Sequence, residues 1–173
     1  ECVKAGRTFR FRVSFDNLSD VELGALLSAL DLPRECAHKV GMGKPLGLGS
    51  VRITPVLYLI ENERRYGGED FADLGVRRAA DAEVSAFKES FAAEILAHAH
   101  RTGEKITPGR SGLSAIDRLR LLFVLLDYDH RPDSALVAYL PVSGGGRNQP
   151  PVASYRDRRV LPLPDSLVKP EVP

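Results

Sequence analysis

Between Phe9 and Phe15 apolar and polar side chains alternate, with Phe9, Phe11, Val13 and Phe15 on one side and Arg10, Arg12 and Ser14 on the other. A period of two is that of a half-buried strand, so the pattern predicts a first strand there. The period then changes. Ser19 is placed to cap a helix, Glu22 three residues later can reach back to it, and Leu18 can staple to Leu23. Leu23, Leu26, Leu27 and Leu30 follow at i, i+3, i+4 and i+7, which predicts a helix packed on a sheet and ending before Pro33.

Residues 50–60 are rich in Val, Ile, Leu and Tyr, with Val51 and Ile53 alternating against Arg52 and Thr54. This predicts a second long strand, in which Pro55 marks an edge or a bulge. The charged stretch 61–68 ends in Gly67-Gly68 as a hairpin connection would, and residues 69–76 read as the returning strand. From Asp81 to Arg101, Val84, Phe87, Phe91 and Ile95 recur at three- and four-residue steps, an amphipathic helix that Thr102-Gly103 ends. Residues 107–112 read as loop. Ser114 with Asp117 opens another helix, with Ile116, Leu119, Leu122, Phe123 and Leu126 on its buried face. Residues 135–142 read as a late strand. From Gly144-Gly145-Gly146 onward Gly, Pro and Arg dominate and the period is lost, as in an irregular arm. This order predicts an α+β fold: a ferredoxin-like (RRM-like) βαββαβ domain with a helical insertion over residues 1–143, and a C-terminal arm over 144–173.

Composition narrows the function classes. The chain has 173 residues, 43% of them hydrophobic, enough for the core of one domain. Its 24 basic and 23 acidic residues leave a net charge of +1, so no global positive field draws it to nucleic acid and any such site must be local. Cys2 and Cys36 make neither a disulfide framework nor a zinc set, which points to a reduced, cytoplasmic protein without a metal or other cofactor. No cationic segment precedes an apolar one at the start, and no apolar run approaches the roughly 18 residues of a membrane span, so no membrane partner is expected. The chain begins Glu1-Cys2-Val3, almost at its first strand, and an earlier part of the protein is expected to lie outside this numbering.

The richest local chemistry lies between the first helix and the second strand. Gly41, Gly43, Gly47 and Gly49 form two pairs, each enclosing one apolar residue, and His38, Lys39, Lys44 and Arg52 surround them with no acidic residue from 38 to 52. Glycine admits positive φ and lets a bulky partner approach the backbone without meeting Cβ atoms. The exposed amides can then form an anion-binding concavity, with Lys44 the best-placed single phosphate ligand. The plain structural reading is a tight turn with solvated lysines. A Walker loop is excluded because Pro45 follows Gly43-Lys44 and no Ser or Thr is placed to hold magnesium. A dinucleotide loop is excluded because that fingerprint leaves a strand and opens a helix, and this loop does the reverse.

The segment from Glu22 to Leu27, followed by His38-Lys39-Val40-Gly41-Met42-Gly43-Lys44-Pro45-Leu46-Gly47-Leu48-Gly49-Ser50-Val51, resembles the C-terminal half of CRISPR-associated RAMP proteins. The likeness covers residues 9–60, and Tyr139-Leu140-Pro141 and Arg158-Arg159-Val160-Leu161-Pro162 are similar to later segments of type III backbone-like subunits. The resemblance implies a ferredoxin-like domain, guide RNA (crRNA) and other CRISPR effector subunits as partners, and in some members cleavage of target RNA. It implies RNA contacts at Gly41, Gly43, Lys44, Gly47 and Gly49, to which charge adds His38, Lys39 and Arg52. The N-terminal half, where such proteins usually place a cleaving aspartate, is expected to lie outside this numbering. Two rivals therefore stand beside guide binding: an endoribonuclease, with His38, Asp16 or a residue outside this numbering as the candidate group, and a protein–protein module without RNA contact.

Other clusters carry less. Asp127, Asp129, His130 and Asp133 can imitate a hard-metal site or simply form a solvated turn before Pro132. His98 and His100 lie two apart on a helix and face different directions, against a shared metal. His38 can act as an acid or base at a 2′-hydroxyl, or merely as a hydrogen-bonded anchor. Arg10 and Arg12 can read RNA from a sheet surface or pair with carboxylates.

Overall fold

A computed structural model describes residues 3–44, 48–67 and 72–130, together with Pro164. The elements are α1 (Asp20–Leu30), β1 (His38–Lys39), β2 (Ser50–Val51), β3 (Tyr58–Ile60), α2 (Asn62–Gly67), β4 (Val76–Arg78), α3 (Asp81–Thr102), a 3₁₀ turn (Gly112–Ala115) and α4 (Asp117–Leu126). The class is α+β, with two antiparallel two-stranded sheets, β1–β2 and β3–β4. The late strand at 135–142 and the arm from 144 lie outside the described residues, apart from Pro164.

Helix α1 begins as its sequence dictates. The Ser19 hydroxyl accepts from the Glu22 amide at 3.4 Å while the Ser19 amide donates to Glu22 Oε2 at 2.8 Å, so two otherwise orphaned donors are satisfied reciprocally. Leu23 and Leu27 are buried on its inner face and meet Leu57 and Ala79, with Leu59, Val84 and Phe87 packed around them. This is the core: α1 and α3 lie together on one face of the β3–β4 hairpin. Gly24 sets how close the helices come, because a Cβ there would collide with the Phe87 carbonyl of α3.

Hairpin β3–β4 pairs Tyr58 with Arg78, Leu59 with Arg77 and Ile60 with Val76. Leu59 and Arg77 turn inward, while Tyr58, Ile60, Val76 and Arg78 are exposed. Arg77 reaches the first turn of α3 and donates to both oxygens of Glu83 at 2.7 and 2.8 Å, with Glu61 as a further partner. Helix α3 ends where Gly103 takes φ 69° and its amide returns to the last turn.

Several expectations change. Residues 9–15 pair with nothing among the described residues, and Phe9 and Phe11 are 71% and 64% exposed. Alternation marks a segment able to be a strand, but the strand exists only once an edge accepts its amides and carbonyls. The long strand over 50–60 is split into β2 and β3 around Pro55, which has no N–H to give a ladder. Burial still alternates across the gap, with Ile53, Pro55, Leu57 and Leu59 inward and Arg52, Thr54, Val56, Tyr58 and Ile60 outward. The hairpin connection contains α2, and the returning strand lies at 76–78 rather than over 69–76. Helix α4 starts at Asp117, not at Ser114, whose hydroxyl instead donates to the Ser111 carbonyl inside the 3₁₀ turn. Ile116, fully buried, precedes the helix and pairs with Ile106 in an isolated antiparallel bridge, and no residue of α4 itself is fully enclosed.

Candidate nucleic-acid interface

The glycine loop is the turn of hairpin β1–β2. His38 pairs with Val51 and Lys39 with Ser50, and the ladder continues outward through the Val40 amide to the Gly49 carbonyl at 2.9 Å and the Leu48 amide to the Gly43 carbonyl at 3.2 Å. Gly47 lies outside the described residues, with Pro45 and Leu46. Gly41 has φ 90° and Gly49 φ 73°, the left-handed region that favours glycine. Gly49 is doubly required, since a Cβ there would run into the Val40 carbonyl oxygen. Gly43 is different: its φ is ordinary, and its constraint is Leu48, whose Cδ1 would lie 2.9 Å from an added Cβ. Part of the glycine pattern is therefore hairpin geometry.

Lys44 is exposed, and so are Val40, Met42 and Leu48, Met42 at 98%. The basic side chains at the base are engaged. His38 Nε2 lies 3.0 Å from the Leu30 carbonyl, a hydrogen bond when Nε2 carries the proton, which satisfies one of the orphaned carbonyls at the end of α1. Lys39 Nζ donates to Ser50 Oγ at 2.5 Å. Arg52 donates to Asp129 at 2.7 Å, and both Lys39 and Arg52 lie over the Tyr128 ring, 5.9 and 5.8 Å from its centroid.

Tyr128 arrives there because residues 35–37 run antiparallel to 126–128. The Ala37 amide donates to the Leu126 carbonyl at 2.9 Å and the Tyr128 amide to the Glu35 carbonyl at 2.8 Å, and Cys36 pairs with Asp127. Cys36 is buried, with its thiol 3.5 Å from the Phe123 carbonyl. Burial pushes that thiol up to about 11, helped by the nearby carboxylates of Asp127 and Glu35. The hairpin is thus strapped at its base to the exit of α4 and open at its tip.

The structure therefore brings His38, Lys39, Gly41, Gly43, Lys44, Gly49 and Arg52 onto one hairpin, but among the described residues it leaves Lys44, with Gly41, Met42, Leu48 and Gly49, as the part facing solvent. Tyr128 and Asp129 were not legible as members of this group, because nothing in the sequence links positions 77 apart. The acidic cluster at 127–133 takes a different role: Asp127 accepts from the amides of Asp129 and His130 at 3.0 and 2.9 Å and from the His130 ring. Asp133 lies outside the described residues, and among the described residues no three His, Cys, Asp or Glu are grouped to hold a metal ion. His98 and His100 are exposed on α3, and Arg10, Arg12 and Asp16 are exposed before α1.

Among the described residues no helix is long and apolar enough to cross a membrane. No protein-family model matches the chain and no curated protein is significantly similar to it. What fold and site define is an α+β protein presenting a glycine hairpin whose base is locked and whose Met42, Lys44 and Leu48 are exposed.

Proposed function

We propose that this chain is the glycine-hairpin segment of a CRISPR RAMP protein, holding guide-RNA backbone within a type III-like effector of the cytoplasmic antiviral defence. The observation that carries the reading is the hairpin tip, where Lys44 is exposed beside Gly43 and no acidic residue occurs from 38 to 52. A phosphodiester can meet the backbone amides and the lysine there without a competing carboxylate on the hairpin. The ferredoxin-like topology belongs to the same proposal. Helices α1 and α3 already share one face of β3–β4, and residues 9–15 would complete the sheet along the edge of β4 that pairs with no described residue, with Phe9, Phe11, Val13 and Phe15 turned toward those helices.

Binding is favoured over cleavage because the His38 ring is engaged with the Leu30 carbonyl and, among the described residues, hydrogen-bonds to no acid–base side chain. Filter binding at fixed salt tests the reading. Gly43→Val should weaken guide-like RNA more than Lys44→Ala does, because the valine blocks the approach of the backbone while the lysine supplies one charge. Unchanged RNA binding by Gly43→Val removes the hairpin as the site. The nearly exposed Met42 favours a second reading, a tip that packs on a neighbouring subunit without touching RNA. Absorbance of the purified protein at 260 against 280 nm separates the two, since only the first carries RNA through purification.

A further inference from the structure

The outer face of β3–β4 carries Val56, Tyr58 and Ile60 on one side and Val76 and Arg78 on the other, with Tyr58 directly opposite Arg78. Tyr58 is 58% exposed, Ile60 53% and Val76 47%. Among the described residues the Tyr58 ring stacks on nothing, and the Arg78 guanidinium has no carboxylate or hydrogen-bond partner. Its neighbour in sequence, Arg77, is held by both Glu61 and Glu83. None of the five outward side chains is acidic. An aromatic ring and a free cation side by side on an open sheet are the two elements that hold an unpaired nucleotide, the base on the ring and the phosphate on the guanidinium.

We infer that this face is a stacking platform for single-stranded RNA, with one base on Tyr58 and its phosphate on Arg78; the inference rests on the guide-RNA reading and extends its path. Position supports it. Tyr58 follows Arg52, at the foot of the glycine hairpin, in the same alternation of exposed positions, and the six residue steps from one to the other reach at most about 22 Å, a few nucleotides of extended strand. Charge decides between occupants. An apolar protein surface laid on this patch would desolvate Arg78 without a counter-charge, whereas a phosphodiester supplies one.

The test measures anisotropy of the full chain with fluorescein-labelled oligoadenylate, single-stranded and as a duplex with oligouridylate. Tyr58→Ala should weaken the single strand roughly tenfold and leave the duplex unchanged, and Tyr58→Phe, which keeps the ring, should bind within about twofold of the parent. Arg78→Ala should weaken binding and make the salt dependence shallower by about one phosphate. Equal loss in Tyr58→Ala and Tyr58→Phe overturns stacking. If Tyr58→Ala and Arg78→Ala bind like the parent while Gly43→Val does not, the platform is wrong and the hairpin reading stands. A parent chain that binds no RNA removes both, and self-association lost in Tyr58→Ala with RNA binding intact assigns the face to protein. Circular dichroism of each variant should match the parent, because these side chains are exposed.

Discussion

Arg52, at the foot of the glycine hairpin, donates to the Asp129 carboxylate at 2.7 Å and lies over the neighbouring Tyr128 ring. If the hairpin binds RNA as proposed, the carboxylate occupies a guanidinium that a phosphate would otherwise take. Both side chains are about half exposed, at 51% and 46%, so water and salt screen the pair and its worth to stability is below about 1 kcal/mol. Asp129→Ala should therefore leave the urea midpoint nearly unchanged. RNA affinity should rise a few-fold, with a salt slope steeper by about one released counterion, because Arg52 becomes available. Unchanged affinity at low salt would show that Arg52 is outside the RNA path.

Gly24 is the point where α1 crosses α3, and a Cβ would overlap the Phe87 carbonyl and approach Phe91 Cβ to 2.9 Å. Backbone cannot yield as a flexible side-chain end can, so the helices must separate and part from Leu23, Leu27 and Leu57. Gly24→Ala should destabilise by about 2 kcal/mol or more despite alanine's better helix propensity. Urea denaturation checks this, with Ala29→Gly, exposed on the same helix, as the control that reports propensity alone.

The Cys36 thiol, raised to about 11, is neutral at pH 8 and enclosed, and only thiolate reacts with iodoacetamide. Peptide mapping should find Cys36 unmodified in the native protein and fully alkylated in urea. The linkage sign follows from the raised value. The contribution of this group is complete below the ordinary thiol pKa and is lost as pH rises toward about 11, so stability should fall in the alkaline range and Cys36→Ala should blunt that fall. Rapid native alkylation at pH 8 would contradict the enclosure.

Several carboxyls are held below their usual range: exposed Glu22 by the Ser19 amide and then its hydroxyl, and the half-buried Asp73 by the Gly75 amide and then Arg64, Glu83 by Arg77, and Asp117 by Arg120. A depressed folded-state pKa contributes stability that is complete above the ordinary carboxylate pKa of about 4 and disappears as pH falls through the folded values. Tm should stay level from neutral pH down to about 5 and decline below about 4, with a smaller decline in high salt. Ser19→Ala removes the N-cap and should cost about 1 kcal/mol at neutral pH. A Tm that falls equally at both salts would show that these pairs do not carry the acid transition.

The sequence by itself determined what depends on neighbours a few residues away. The capping box at Ser19 and Glu22, the buried stripe of α1, the extent of α3 to Gly103 and the α+β class were legible because a helix closes its hydrogen bonds within its own turns. The glycine hairpin was legible as a turn, since positive φ at Gly41 and Gly49 is a local demand. Tertiary structure decided the rest, because a strand and an ion pair need partners that arrive from elsewhere. Residues 9–15 alternate as a strand should, yet whether they form one depends on an edge that no local pattern supplies. The expected strand over 50–60 breaks at Pro55 into β2 and β3, each of which finds its own partner, and Tyr58 and Arg78 face each other only through the register of β3 and β4. His38, Lys39 and Arg52 read alike as basic side chains flanking a glycine loop. The fold alone set them apart from Lys44, by bringing the Leu30 carbonyl to the first, Ser50 Oγ to the second and Asp129 to the third.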